Sequence, residues 1–402
     1  MTADLTDIDL LAETWSRGVP HDQFDVLRRE APVYWHTEPD GGSGFWAVTK
    51  HADVKRISRD PRTFSSALGA TFIPDQAEEI LALLRLSVLN MDDPQHTRYR
   101  NIVARAFTPR MIAKLVDDID ARAVRVVDEM AERGEVEFVN DVAARVPIEA
   151  ICTMLGLPDE QWGRMVELTN LMIGSMNEPG MEGVGETASA EVYMLCDAVA
   201  QERRKEPQDD LITALINAEV DGERLDESEL NMFFLTLIVA GNETTRNLIN
   251  HSMVALVDNP GEADRLRADE SLWSTAVDEM LRYGTSITNF RRTATVDTEI
   301  RGVPVKAGDK VVIFYTSANR DEEVFADPHR FDVGRTPNDH VTFGGGGVHY
   351  CLGASLAKAE IKAVMREVVN RTRDHEIAGP VRRLRSDFVN GIVSMPLRFT
   401  AV

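Results

Sequence analysis

Three cysteines among 402 residues are too few and too scattered for a disulfide framework or a zinc knuckle, because Cys152, Cys196 and Cys351 share no paired spacing. The opening stretch lacks both a basic start and an apolar run: Met1 to Pro20 carries Asp4, Asp7, Asp9 and Glu13 instead. That argues against a signal peptide or membrane anchor, and the expectation is a soluble, cytoplasmic protein. Basic residues are in short supply too, 44 against 66 acidic ones, and a net charge of −22 argues against nucleic acid and anionic membrane as bulk partners. Internal repeats, low-complexity tracts and a long linker are all missing, so residues 1–402 read as one domain.

What is present is ordinary globular material, 43% hydrophobic and 27% charged, in a chain long enough for a large core. Before Tyr283 most of it reads as helix, broken at Gly134 and at Gly156-Leu-Pro158. The longest helix starts near Asp226, where Asp226 and Glu229 form a capping-box pattern, and runs to Asn259-Pro260, roughly 48 Å at 1.5 Å per residue. Its middle, Ala240-Gly-Asn-Glu-Thr-Thr245, sets a glycine near two β-branched residues, and a local distortion is expected there. β-rich portions are expected near residues 30–60 and 290–315, and a further helix from Leu352 to the region of Asn370. Cys152 and Cys196 lie in apolar helical patterns that suit small buried hydrophobes.

Cys351 sits differently, in Phe343-Gly-Gly-Gly-Gly347-Val-His349-Tyr-Cys351-Leu-Gly353. Four glycines let a backbone pass close to a flat ligand and turn sharply, and a helix N-terminus just after the cysteine favours its thiolate. A phosphate loop is the rival reading, weakened because no Gly-Lys-Ser/Thr follows and no Gly-x-Gly-x-x-Gly lies between a strand and its helix. A thiolate is also an axial ligand of haem iron that favours O–O cleavage.

The segment resembles the haem-binding signature of the cytochrome P-450 family, Phe-x-x-Gly-x-x-x-Cys-x-Gly. It departs in one respect: Phe343 stands eight positions before Cys351 rather than seven, so the loop carries an extra glycine and Gly347 takes the place of the internal one. The resemblance implies a mainly α fold with a small β region, a helix-rich prism whose long central helix lies over haem b. It makes Cys351 the iron ligand, with Phe343, Gly347 and Gly353 shaping the cofactor loop, and has His349 bonding a haem propionate.

Other family marks follow in order. Glu279-Met-Leu-Arg282 resembles the structural ion pair behind the haem, against the plain alternative of a solvated surface pair. Asn319-Arg320-Asp321, then Phe325, Asp327-Pro328, Arg330 and Phe331, resembles the meander that locks against it. His96-Thr-Arg-Tyr-Arg100 and Arg292 are similar to the family's other propionate partners. Ala240-Gly-Asn-Glu243-Thr244 resembles the acid and alcohol that handle protons during dioxygen activation, while a threonine bonding its own helix carbonyl is the rival.

Thr236, Val239, Ala240 and Thr244 share one helix face and, with Ile287, Asn289 and Phe290, are expected to line an apolar substrate space. The loop from Ser66 to Asn90 and the region from Leu168 to Tyr193, with Met172, Met176 and Met181 and with Met194 just beyond, would roof it. The motifs are similar to those of actinobacterial members that oxidise sterols, terpenoids and branched lipids, which implies hydroxylation of a C–H bond. Tailoring of an antibiotic or of a carrier-bound amino acid is the alternative substrate class. A peroxide-using haem enzyme and a haem-based sensor without turnover are the rival functions. With no flavin, nicotinamide or iron–sulfur motif in the chain, electrons are expected from a separate ferredoxin and its reductase. Arg98, Arg100, Arg105, Arg110 and Lys114, in a stretch without one acidic residue, together with Lys358, Lys362 and Arg366, form the expected docking face. A solvated helix face is the competing reading of the first five.

Overall fold

The fold is organised by one capped helix. In the computed structural model Asp226 accepts the Glu229 N–H at 2.8 Å while the Glu229 carboxylate accepts the Asp226 N–H at 3.0 Å. Two otherwise orphaned donors are thereby satisfied, and a helix of 32 residues, Glu227–Asp258, follows. The structure describes residues 5–402 except 12–14, 16, 40, 107–108, 176–180, 182 and 220–221; side chains at 6, 105–106, 109–112, 114 and 173–174 are likewise left aside.

In chain order the helices are α1 (His21–Glu30), α2 (His51–Ser58), α3 (Glu78–Leu84), α4 (Gln95–Ala106), α5 (Pro109–Ala131), α6 (Arg145–Leu155), α7 (Asp159–Gly174) and α8 (Val184–Lys205). They continue with α9 (Leu211–Asn217), α10 (Glu227–Asp258), α11 (Pro260–Ala268), α12 (Trp273–Gly284), α13 (Tyr315–Ala318) and α14 (Ala354–Arg371). α10 is the hub, packed against α6, α8, α12 and α14. The large apolar core around it includes Phe138, Phe234, Leu248, Trp273 and Met365. Among the described residues no helix is long and apolar enough to cross a membrane.

A five-stranded sheet stands to one side in the order β1 (Val33–His36), β2 (Phe45–Val48), β8 (Lys310–Phe314), β5 (Asn289–Ala294), β3 (Phe64–Ser65). Only the β2–β8 pairing is parallel. A second sheet joins β4 (Glu135–Glu137), β12 (Pro396–Ala401) and β9 (Thr372–Ile377). Two small pairs complete the strands, β6 (Thr298–Ile300) with β7 (Val303–Val305), and β10 (Arg382–Arg383) with β11 (Ile392–Ser394).

The β-rich portion near residues 290–315 consists of four short strands, β5 ending at Ala294 and β6 starting at Thr298. The helix α10 runs without a break through Ala240–Thr245, the stretch where a local distortion is expected. Its glycine serves packing instead: a Cβ on Gly241 would collide with the tip of Ile151 from α6.

Candidate active site

The cysteine loop is built against α2. A Cβ on Gly345 would lie 2.7 Å from Ser58 Oγ and 2.8 Å from Val54 O, and one on Gly347 would strike the Ser58 carbonyl oxygen. Gly344, Gly346 and Gly347 also hold φ of +97°, +89° and +81°, a region costly for other residues. The eight-residue spacing closes without loss, since the Cys351 N–H donates to Phe343 O at 3.0 Å. Gly353 is the N-cap residue of α14.

The three cysteines divide by environment. Cys152 and Cys196 are buried, and burial pushes the Cys152 thiol up to about 12 and raises that of Cys196 as well. Both act as small apolar side chains. Cys351 is exposed, yet protein crowds its sulfur closely enough that desolvation raises its pKa, against the pull of the Gly353 N–H and the Arg100 guanidinium. It is the cysteine open to a ligand, with a positive field already beside it.

Around that loop gather the predicted basic groups. The His96 and His349 rings lie 4.3 Å apart, and His349 Nε2 is 3.1 Å from Ser66 Oγ. Arg100 donates to Tyr350 O at 2.5 Å. Arg292 is 4% exposed and donates only to the neighbouring Arg291 carbonyl, at 2.8 Å. Among the described residues no carboxylate pairs with Arg100 or Arg292. His96 is buried with neither ring nitrogen hydrogen-bonded, and its nearest carboxylate oxygen, on Asp93, stays 3.9 Å away. Asp92 is committed to Ser65 and Ser66. Burial, then Arg292, His96 and Arg100, pulls His349 down to about 2. Such a cluster lacks a counter-anion, and burying it unpaired is costly.

On α10, Thr236, Val239 and Thr244 are half-buried and Ala240 is exposed, so this face is accessible. The Thr244 hydroxyl donates to Ala240 O at 2.6 Å, the arrangement raised as the rival reading. It leaves both lone pairs of the oxygen free to accept. Thr236 donates to Met232 O at 2.7 Å and lies 3.3 Å from Ser87 Oγ, a neighbour that the sequence reading did not single out.

Glu243 is placed otherwise than its expected role suggests. Its carboxylate is buried, accepts from Asn247 Nδ2 at 2.7 Å and pairs with Arg246, which in turn donates to Asn170 Oδ1 at 2.6 Å. Ile287 and Phe290 are half-buried, but Asn289 is 1% exposed, with its amide given to Asp387 O at 2.7 Å. It does not present that amide to a ligand. Phe290 instead continues into an aromatic row, 5.6 Å from Phe388, which is 4.9 Å from Phe72. Of the methionines, Met172 is core and Met194 is 72% exposed; Met176 lies outside the described residues.

Glu279 and Arg282 meet in full burial, with two bonds of 2.7 and 2.8 Å. Arg282 also donates to Asn319 O and Pro328 O, both at 2.8 Å, and Glu279 accepts from the Asp332 N–H and from Asn338. The pair is thus tied to the segment expected to lock against it. The expected docking face is less open. Arg98 is bound to Glu223 and Glu229, Lys358 pairs with Asp278 at 2.7 Å, and Arg366 lies near Glu270 and Glu367. Lys362 is exposed, and the side chains of Arg105, Arg110 and Lys114 lie outside those described.

With this geometry in view, residues 147–376 match the model of the family described as Cytochrome P450. The chain is 40% identical over 397 residues to a steroid C26-monooxygenase of Rhodococcus jostii (strain RHA1), covering 97% of this chain and 83% of that one. It is 41% identical over 389 residues to a methyl-branched lipid omega-hydroxylase of Mycobacterium tuberculosis (strain ATCC 25618 / H37Rv), covering 94% and 90%. A solved Mycobacterium marinum cytochrome P450 in complex with pseudoionone superposes with a TM-score of 0.90 at 38% identity, over 98% of both chains.

Proposed function

The chain belongs to the cytochrome P450 family and is a monooxygenase with a haem cofactor, and on that premise we propose that it hydroxylates a C–H bond of a steroid, terpenoid or methyl-branched lipid. The observation that carries the reading is the cluster of His96, Arg100, Arg292 and His349 beside an exposed Cys351, in which, among the described residues, neither Arg100 nor Arg292 has a carboxylate partner. That cluster fits haem b. Cys351 would ligate the iron, the four basic residues would receive the two propionates, and the glycine loop would let the backbone pass close beneath the ring. When bound, haem supplies the oxygen-activating chemistry, and a thiolate ligand adds electron density that favours O–O cleavage.

The protein's own part is positioning and proton handling. Thr236, Val239, Ala240 and Thr244 offer substrate an open face of one rigid helix, flanked by Ile287 and Phe290. The Thr244 hydroxyl, fixed by Ala240 O, holds a defined orientation and can accept a further bond at Oγ1. Glu243 can pass a proton only after it releases Arg246. That release is eased because Arg246 Nε is buried without a partner, so the guanidinium is incompletely held.

Electrons come from a separate ferredoxin served by its reductase. The support is the absence of any electron-carrier motif in the chain and the exposed Lys362 on the helix that follows Cys351. The chain acts as one cytoplasmic domain, a reading supported by the five-stranded sheet, which pairs β1, β2 and β3 from early in the chain with β5 and β8.

The test is the difference spectrum of the dithionite-reduced protein with carbon monoxide, beside Cys351→His. A strongly red-shifted Soret band that is lost in the variant supports thiolate ligation; an ordinary haem-carbonyl band in the parent protein refutes it. Spin-state titration with sterols, terpenoid ketones and methyl-branched fatty acids then sorts the substrate class.

A further inference from the structure

Behind the Glu279–Arg282 pair lies a second polar site that the oxygen chemistry does not use. A cavity of about 10 Å³, room for one small occupant, is bounded by Val19, His21, Arg282, Thr285, Thr316 and Arg320 among others. Three of these residues carry a buried polar atom without a partner: His21 Nδ1, Thr316 Oγ1 and Arg320 Nε.

Arg320 is the decisive residue. It is 3% exposed and sits 4.0 Å from the Tyr283 ring. Its hydrogen bonds go to neutral carbonyls, Arg282 O at 3.3 Å and Tyr283 O at 3.0 Å. The surrounding charges do not neutralise it. Glu279 is committed to Arg282, Arg335, Asn338 and the Asp332 N–H, while Arg28 carries its own partners in Asp25 and Glu322. Burial, then the like charge of Arg282, pulls the Arg320 pKa down, and burial followed by Arg320 does the same to His21. An uncompensated buried guanidinium is expensive, and the void beside it is bounded by the residues that carry the unpartnered Arg320 Nε–H, the Thr316 hydroxyl, which can donate, and His21 Nδ1.

We propose that this cavity binds one chloride ion, held by Arg320 and the Thr316 hydroxyl. A water molecule fits the size and would satisfy donors, but it brings no charge. A carboxylate or phosphate brings charge and is too large. A monatomic halide brings the charge in the smallest volume. It would fasten the start of α1, which carries His21, to the end of α12 and to the segment after α13.

The experiment uses the haem-loaded protein in two parts. Melting is followed in sodium chloride and in sodium gluconate at equal ionic strength. Linkage predicts a midpoint about 1–2 °C higher for each tenfold rise in chloride above its dissociation constant. Crystals soaked in bromide should give an anomalous peak in the cavity. Arg320→Met should abolish the chloride response. Should that variant not fold, Thr316→Val, which removes one small donor, should still weaken the response severalfold. Equal melting in both salts, with a water oxygen and no bromide peak, would overturn the proposal. A bromide peak without any thermal response would overturn it also, as an adventitious ion only.

Discussion

Glu360 offers a quantitative test of how the cysteine helix is packed. It lies on α14, is 2% exposed and has one carboxyl oxygen without a partner; the Thr245 hydroxyl of α10 is the group that offers it a hydrogen bond. Burial pushes its pKa up from 4.5 to about 8. Between those values the folded protein keeps a proton that the unfolded chain has released, so stability falls as pH rises and levels off above the folded pKa. Each pH unit in that window costs about 1.4 kcal/mol, so the loss from pH 6 to pH 9 is about 2.7 kcal/mol. Glu360→Gln keeps the shape and the Thr245 contact but has nothing to ionise. Its stability relative to the parent protein should therefore rise by about 2.7 kcal/mol over that range, because the other titrating groups are common to both. Urea unfolding of the two proteins at pH 6, 7, 8 and 9 measures the difference directly. A difference independent of pH would show that Glu360 ionises at an ordinary carboxylate pKa, and would refute the account of a dry contact between α14 and α10.

Arg292→Leu removes a buried cation that has no carboxylate partner among the described residues, and haem should transfer to an excess of apomyoglobin at least tenfold faster than from the parent; an unchanged transfer rate would count against its part in holding the cofactor. Gly347→Ala places a Cβ against the Ser58 carbonyl at a φ of +81°, so the red-shifted carbonyl Soret band should weaken or disappear even where helical circular dichroism is kept. Glu279→Gln leaves Arg282 buried beside a neutral partner, and unfolding free energy should fall by roughly 3–5 kcal/mol; a loss below 1 kcal/mol would mean that the meander carbonyls alone hold Arg282. Thr244→Ala should uncouple dioxygen consumption from product while leaving peroxide-supported turnover largely intact, measured as product formed per oxidant consumed; equal losses with both oxidants would assign Thr244 to substrate binding instead.

Features encoded in short contiguous motifs were readable in advance, because their geometry is local. The capping box at Asp226, the glycine loop before Cys351 and the Glu279–Arg282 spacing each need only four to eleven neighbouring positions to make their point. What could not be read depends on residues far apart in the chain. Gly241 looks like a weakness in a helix until Ile151 of α6 is seen against it. Arg98 looks like a docking cation, but Glu223 and Glu229, more than a hundred positions later, absorb its charge. Asn289 falls on the expected strand, yet its amide is taken by a carbonyl 98 positions away. The aromatic row through Phe72, Phe388 and Phe290 had no sequence signal, since three isolated phenylalanines share no spacing.

The placement of Glu243 and Thr244 follows from helix geometry and constrains how they can cooperate. Adjacent residues on an α-helix point about 100° apart, so both cannot face one ligand from an undistorted helix. Here the helix is unbroken and the open face belongs to Thr244, with Ala240 one turn before it. Glu243 is consequently turned toward Arg246, Asn247 and, through Arg246, Asn170 of α7. On the proposed relay, a proton travelling from solvent to the Thr244 side waits for the Arg246 pair to open, or crosses through water along the helix edge. The first route makes motion of α7 part of the control of proton supply, because Asn170 is the outer anchor of Arg246. Asn170→Ala frees that anchor while leaving Glu243, Thr244 and the cysteine loop in place. Under the first route the proton-dependent step accelerates and its solvent isotope effect shrinks; under the second neither changes, and α7 has no part in the relay.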